Sequence, residues 1–422
     1  MKPGRMLVIA LLLGAGCSDK TAPSADLTLA PPDGRAADRT AADRTAADRS
    51  TSDRGAPDLG LPWPTPTPAT LALDGQLVVD GPIDGRAAVL ALDTGAAPTA
   101  IDTQFGAGLF TKVDLAFGPI TAKQQQVAVT NLAEASAFVG VDLGGLVGSD
   151  VLGRIWVGLD YHTPAAYLLT SAPPASLPPG GTGPALECLF KEVLGIPIVD
   201  GMARGAGGAA AATVTLIADT GSGVTLLTQS LFDAIDPKAT LPRLKGYVWR
   251  TSSGATSGFV TRIPSLLVGG AEAKGAWAVV VPDNHHLALT LTLVGLPTSF
   301  LGYSFYRSFL TVYAGPEKRY RFYPVGAGPW AGEWRRVGVE LAKRPEGFRV
   351  EMVYEPSSAL AMGVKVGDVL ESVDGQPLHG LTLKQVVDKL CGVPKTSLGL
   401  GLVRAGVKQL LVVEIDDLLP PL

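Results

Sequence analysis

Ala212-Thr213-Val214-Thr215-Leu216-Ile217-Ala218-Asp219-Thr220-Gly221-Ser222 is an apolar, β-branched run that ends in Asp-Thr-Gly. Such residues favour a pleated strand. The chain carries the arrangement a second time, as Ala87-Ala88-Val89-Leu90-Ala91-Leu92-Asp93-Thr94-Gly95-Ala96. A lone Asp-Thr-Gly is a common turn. Two copies, each closing an apolar strand, are an internal repeat. The repeat continues downstream, with Leu146-Val147-Gly148-Ser149-Asp150 after the first copy and Phe300-Leu301-Gly302-Tyr303-Ser304 after the second. Both read as two apolar residues, a glycine, a short helical piece and then a strand pair. Gly148 lies 148 − 93 = 55 residues past its aspartate and Gly302 lies 302 − 219 = 83 past its own, so the second unit holds the longer insertion. Upstream of the first copy, residues 71–79 alternate and read as one more strand.

A length of 422 residues accommodates two or three domains, and 46% hydrophobic residues supply their cores. With 51 Gly, 33 Pro and only 6% aromatics, short strands and turns are favoured over long helices. The fold class expected is mainly β: two pseudo-symmetric lobes followed by an α+β domain. A net charge of -4, with no basic run after the N-terminus, leaves no electrostatic footprint for nucleic acid. His162, His285, His286 and His379 form no His-Glu-x-x-His, and Cys17, Cys188 and Cys391 have no zinc spacing. There is no Gly-x-Ser-x-Gly elbow. No metal and no cofactor is expected, and Cys188 and Cys391, in different domains, read as buried free thiols.

The repeat singles out Asp93 and Asp219; that they meet as a catalytic pair is what the resemblance of these motifs to a protease family implies. One aspartate with a pKa of about 3.9 does not serve as both base and acid. Two carboxyl groups about 3 Å apart share a proton and titrate as a pair. The ionised member takes a proton from water, and the protonated member donates to a substrate carbonyl. Gly95 and Gly221 let backbone N–H groups approach the carboxylates, which favours the ionised form. Ala96 follows one triplet and Ser222 the other. A Ser222 hydroxyl beside Asp219 is expected to stabilise its anion, which makes Asp219 the base and Asp93 the acid.

Over roughly residues 70–325 these motifs resemble the pepsin and retropepsin superfamily of aspartic proteases. The resemblance implies one Asp-Thr-Gly and one apolar-apolar-Gly segment per lobe, with Gly148 and Gly302 packing behind the active loops. It implies that Thr94 and Thr220 hydrogen-bond across to the opposite lobe, and that the substrate is a peptide or protein. Both lobes lie on one chain, so a monomer is expected to suffice. Pepsin-like members carry a Tyr in the first-lobe flap, yet no Tyr lies between Asp93 and Gly148, so the flap resembles a retropepsin's more than a pepsin's. Phe105-Gly106-Ala107-Gly108 and Phe117-Gly118-Pro119 are the candidates there, and both read as surface turns. In the second lobe, Tyr247-Val248-Trp249 with Ser252-Ser253-Gly254 reads as an exposed hairpin with half-buried aromatics.

After residue 334 the pattern changes. Val337-Gly338-Val339, Ala359-Leu360-Ala361-Met362-Gly363, Gly367-Asp368 and Asp374-Gly375 mark strands and turns, followed by an amphipathic helix over 382–390 and strands over 399–404 and 409–415. This resembles a bacterial PDZ domain of the type found on periplasmic proteases. The resemblance implies that a peptide adds as an extra strand, its carboxylate caught by backbone N–H groups at Val337, Gly338 and Val339. The alternative is a domain that caps the lobes structurally.

At the N-terminus, Lys2 and Arg5 flank an apolar run over 6–13 that ends in Gly14-Ala15-Gly16-Cys17. This is a signal-peptide pattern, too short to span a bilayer. The small residues before Cys17 resemble a bacterial lipobox, which implies cleavage before Cys17, lipidation of its sulfur and a membrane anchor. Ser18 after it points to the periplasmic face of the outer membrane. Residues 18–70 hold the repeat Thr40-Ala41-Ala42-Asp43-Arg44, Thr45-Ala46-Ala47-Asp48-Arg49 and four spaced prolines from Pro62 to Pro68. With no apolar face to offset ordering, they read as a disordered tether. The expected division is a leader over 1–16, a tether over 17–70, lobes over 71–185 and 186–328, and the PDZ-like domain over 335–417. The function expected is an aspartic endopeptidase anchored in the cell envelope, with peptide capture or regulation by the last domain. The alternative is a catalytically inactive peptide-binding lipoprotein that keeps the cleft.

Overall fold

A computed structural model describes residues 27–29 and 63–422, apart from 74, 175, 207–209, 252–253 and 326–333. The leader, Cys17 and the Asp-Arg repeat lie outside the described residues, as do Ser252 and Ser253.

The first lobe runs β1 (Leu27–Leu29), β2 (Thr67–Leu71), β3 (Leu77–Ile83), β4 (Arg86–Leu92), β5 (Ala100–Asp102), β6 (Phe110–Phe117), β7 (Ile120–Thr130), α1 (Ala133–Val139), β8 (Leu143–Val147), α2 (Ser149–Leu152), β9 (Trp156–Asp160) and β10 (Ala165–Leu169). Leu90, Ala91 and Leu92 are all buried, which is why β4 reads as a continuous apolar run and not as an alternation. β4 pairs in parallel with β8, Leu92 facing Val147. That pairing brings the start of the Asp93 loop beside Gly148.

The second lobe repeats the plan with β11 (Leu186–Leu189), β12 (Lys191–Val193), β13 (Ile196–Arg204), β14 (Ala211–Ala218), β15 (Thr225–Thr228), α3 (Gln229–Ile235), β16 (Leu244–Thr251), β17 (Gly254–Val268), β18 (Ala271–Val281), α4 (Ala288–Leu293), β19 (Ser299–Leu301), α5 (Tyr303–Tyr306), β20 (Phe309–Ala314) and β21 (Arg319–Pro324). Here β14 pairs in parallel with β19, Ala218 facing Leu301. The longer insertion is α3 and β16, and β16 forms a hairpin with the long β17.

One sheet joins the lobes beneath the site, in the order β2-β10-β9-β20-β21-β11. At its centre Gly158 faces Val312, flanked by Leu159 opposite Thr311 and Val157 opposite Tyr313. The flanking pairs mirror one another, the register that a pseudo-twofold axis through the sheet demands.

The C-terminal domain comprises β22 (Arg335–Arg336), β23 (Val339–Arg344), β24 (Gly347–Val353), α6 (Ser358–Ala361), β25 (Val369–Val373), β26 (Gln376–Pro377), α7 (Leu383–Lys389), β27 (Ser397–Arg404), β28 (Val407–Glu414) and β29 (Asp416–Asp417). Its main sheet is ordered β23-β24-β25-β27-β28. A reciprocal cap between Thr382 and Gln385 starts α7. The domain packs on both lobes. Lys245 and Glu355 exchange backbone hydrogen bonds of 2.9 and 3.0 Å. Arg344 holds Glu134 with two bonds of 2.7 and 2.9 Å. Arg262 donates to the carbonyls of Leu419 and Pro420, tying the chain end to the second lobe.

Three expectations change. The tether is not wholly outside the fold: Leu27–Leu29 pairs antiparallel with β7, β2 begins at Thr67, and buried Trp63 donates to the Ser176 carbonyl at 2.9 Å. A short alternating segment completes a sheet edge even when its surroundings are polar. The single strand over 71–79 is broken by a turn at Gly75, whose φ of 93° suits glycine. Cys188 is buried and free, but Cys391 is exposed.

Candidate active site

Asp93 and Asp219 stand one residue beyond β4 and β14, where each strand leaves its parallel partner. Their N–H groups donate to Val147 and Leu301, both at 3.0 Å, so the two loops start from the same anchor. The next residue of each loop crosses the axis. The Thr94 N–H donates to Thr220 Oγ1 and the Thr220 N–H to Thr94 Oγ1, both at 3.0 Å. Thr94 Oγ1 in turn donates to the Ala218 carbonyl at 2.7 Å, and Thr220 Oγ1 to the Leu92 carbonyl at 2.8 Å. All four groups are buried and paired, so the loops are fixed to each other and not only to their own lobes.

The glycines also act across the axis. A Cβ on Gly95 would overlap the Asp219 carboxyl, and one on Gly221 would overlap that of Asp93. Each glycine therefore makes room for the opposite acid while its own N–H serves the near one. Gly95 and Ala96 donate to Asp93 Oδ1 at 2.9 and 3.0 Å, and Gly221 donates to Asp219 Oδ1 at 2.8 Å.

The two carboxyl groups hydrogen-bond to one another, half-buried at the surface yet deep between the lobes. Burial raises both pKa values. On Asp93 the hydrogen bond from Asp219 and the Ala96 and Gly95 N–H groups oppose that rise. On Asp219 the charge of Asp93 adds to burial and drives the acid well above the ordinary carboxylate range. The Gly221 and Ser222 N–H groups oppose the rise on Asp219, as those of Gly95 and Ala96 do on Asp93. The Ser222 hydroxyl does not serve Asp219 as expected: it donates to the Val224 carbonyl at 2.8 Å.

Gly148 and Gly302 each pack closely against the backbone of an active loop. A Cβ on Gly148 would crowd the Ala96 carbonyl, and one on Gly302 would crowd those of Val224 and Ser222. Sequence reading missed the brackets that hold them. The Gly148 N–H donates to Thr99 Oγ1 at 2.9 Å, and the Gly302 N–H to Thr225 Oγ1 at 3.3 Å. The N–H of Thr99 then meets Asp150 Oδ1 at 2.8 Å, and that of Thr225 meets Ser304 Oγ at 3.0 Å. The signal was present: each threonine lies six residues past its aspartate, and each polar partner two past its glycine. Gln76, whose side-chain amide donates to the Gly221 carbonyl from the first lobe, has no such signal.

The described residues of the suggested flaps make other contacts. Phe105 lies under the Arg86 guanidinium, 4.6 Å from its ring centre, and the turn at Gly118 packs on Thr67 and Leu168 of the joining sheet. Trp249 is buried and not half-exposed, its ring 4.8 Å from His286 and 5.5 Å from Phe300. The β16–β17 hairpin lies along the C-terminal domain, the Val248 N–H reaching Met352 Sδ at 3.3 Å.

The carboxylate cradle expected at Val337, Gly338 and Val339 is not open. The Val337 N–H donates to Leu390 at 2.8 Å and the Val339 N–H to Val337 at 2.7 Å, while Ser357 fills the space beside Gly338. Val337 and Val339 spend their donors inside the domain, and strand β23 faces lobe-one helix α1 through the Arg344–Glu134 pair.

No family model matches the chain, and no curated protein does. Among solved structures, the crystal structure of an aspartic proteinase from Irpex lacteus is similar to it, with 13% identity and a TM-score of 0.42 over 62% of this chain and 97% of that one.

Proposed function

We propose that this protein is an aspartic endopeptidase whose general base is Asp93 and whose general acid is Asp219. The observation that carries this reading is the hydrogen-bonded pair of carboxyl groups in two mirrored loops, each fitted against the glycine of the other. Such a pair holds one proton between two acids. In the reaction, ionised Asp93 takes a proton from a water molecule as its oxygen attacks the scissile carbonyl carbon. Asp219 gives its proton to the carbonyl oxygen, and a neutral gem-diol forms. Collapse returns a gem-diol proton to Asp219 while Asp93 passes its proton to the departing nitrogen. Protons balance over the cycle.

The PDZ-like domain, in this reading, braces the lobes, and a peptide recruited to it would have to displace α1 from β23. Cys17 would anchor the enzyme to the envelope membrane, on the periplasmic face of the outer membrane. A second reading, a peptide-binding protein without catalysis, is supported by the lack of a Tyr between Asp93 and Gly148.

The test is hydrolysis of a peptide library by the purified full chain from acid to neutral pH, with and without a statine-containing peptide. Asp93→Asn and Asp219→Asn should each abolish turnover. Library binding without cleavage at any pH would select the second reading, and cleavage surviving both substitutions would refute the dyad.

A further inference from the structure

The two active loops are mirrored, but what lies beneath them is not. On the joining sheet, Leu159 faces Ala166 in the first lobe and Tyr313 faces Tyr320 in the second. Tyr320 thus occupies the place that Ala166 holds across the axis. Its ring is fully buried, 5.2 Å from Tyr313 and stacked on Phe322 at 5.8 Å, so its hydroxyl has one fixed direction. That hydroxyl lies 3.3 Å from the Ala218 carbonyl and 3.4 Å from Thr94 Oγ1.

Those two atoms belong to opposite lobes, and both touch the dyad's frame. Ala218 precedes Asp219, and its carbonyl already accepts from Thr94 Oγ1; the mirrored carbonyl of Leu92 accepts from Thr220 Oγ1. Among these bonds the first lobe adds nothing equivalent to the phenol, because Ala166 has no polar atom. Burial pushes the Tyr320 phenol well above its ordinary range, so it stays a donor throughout the range in which carboxyl groups titrate.

We infer that Tyr320 is a positioning residue for the dyad: its hydroxyl pins Thr94 to Ala218 from below and holds the two carboxyl groups at proton-sharing distance. This rests on the reading of Asp93 and Asp219 as a shared-proton pair. The physical consequence follows from coupling. Sharing stabilises the singly protonated state, which lowers the first apparent pKa of the pair and raises the second. Loosening the frame weakens the sharing and draws the two values together.

The test is Tyr320→Phe in the full chain, which keeps the ring and removes only the hydroxyl. The carbon-13 carboxyl shifts of Asp93 and Asp219 are titrated in the wild type and the variant. The two apparent pKa values should approach one another in the variant. The pH profile of peptide hydrolysis should narrow from both sides, with kcat down about tenfold and KM unchanged. Tyr313→Phe, which removes a neighbouring buried hydroxyl that touches neither loop, should alter melting only. Superimposable titrations of wild type and Tyr320→Phe would overturn the inference, whatever the melting temperature does. A wild type that shows separated titrations but cleaves no peptide would instead refute the hydrolase reading, and the role of Tyr320 would still have been measured.

Discussion

Gly95 lies against the carboxyl of Asp219, and not only against that of its own neighbour Asp93. The relationship makes each glycine part of the opposite half-site. Gly95→Ala should force the Asp219 carboxyl or the loop to move, at a cost of about 1–3 kcal/mol in overpacking. A displacement of this kind at reacting groups costs on the order of a hundredfold in rate. The expected outcome is a folded protein with kcat lowered about a hundredfold, and Gly221→Ala should match it through Asp93. Full activity in either variant, measured against circular dichroism for folding, would show that the loops have slack the geometry denies them.

The threonines carry a different prediction. Thr94→Val removes the acceptor for the Thr220 N–H and the donor to Ala218. A buried donor left without a partner costs about 1–3 kcal/mol. Urea denaturation should show each single Thr→Val substitution destabilising by that amount. The double variant should lose less than the two singles added, because the bonds are shared. Strict additivity would mean that the two residues do not act as one lock.

Much of this site was legible because the chain says it twice. The apolar strands before Asp93 and Asp219 and the glycines at 148 and 302 each have a counterpart at matching offsets, and repetition converts a weak motif into a strong one. The brackets from Thr99 and Thr225 were equally repeated and were passed over, since a threonine in a strand needs no special explanation. The partner of the Ser222 hydroxyl is not legible from its place beside Asp219, because a serine hydroxyl turns readily to a nearby carbonyl, here that of Val224. Tyr320 and Gln76 were not legible at all. They reach the loops through the joining sheet and a turn, and no local spacing records a contact made across the lobes.

Asp219 also sets a pH dependence. Its pKa is raised by burial and by the charge of Asp93, above that of the unfolded chain. A group raised in this way contributes its full stability below its unfolded value of about 3.9, and that contribution is lost as pH rises through the folded value. Asparagine never ionises, so Asp219→Asn escapes the loss. The variant should be more stable than wild type near pH 7 by about 1–2 kcal/mol, a usual gain when a strained catalytic group is neutralised. The gain should vanish near pH 3. Chemical denaturation at the two pH values is the measurement, and a gain that is larger in acid would reverse the assignment.

The last prediction concerns the place where all three bodies meet. Glu351 of the C-terminal domain is almost fully buried and pairs with Arg344 at 2.9 Å, Arg349 at 2.7 Å and, across in β16, Arg250 at 3.6 Å. Phe138 of α1 lies between two of these guanidinium groups, 5.3 Å from that of Arg250 and 5.4 Å from that of Arg344. Glu351 is thus the carboxylate common to all three arginines, in a cluster that reaches lobe one through Glu134 and lobe two through Arg250. Glu351→Gln keeps the volume and leaves three arginines short of one charge. Charged hydrogen bonds of this sort are worth about 1–3 kcal/mol. The domain should part from the lobes more often, while the threonine lock, which it does not touch, stays closed. Hydrogen exchange should accelerate in α1 and β16 and remain slow in β4 and β14. Uniform acceleration would place Glu351 in global stability, and unchanged exchange in α1 and β16 would show that the junction does not hold the three bodies together.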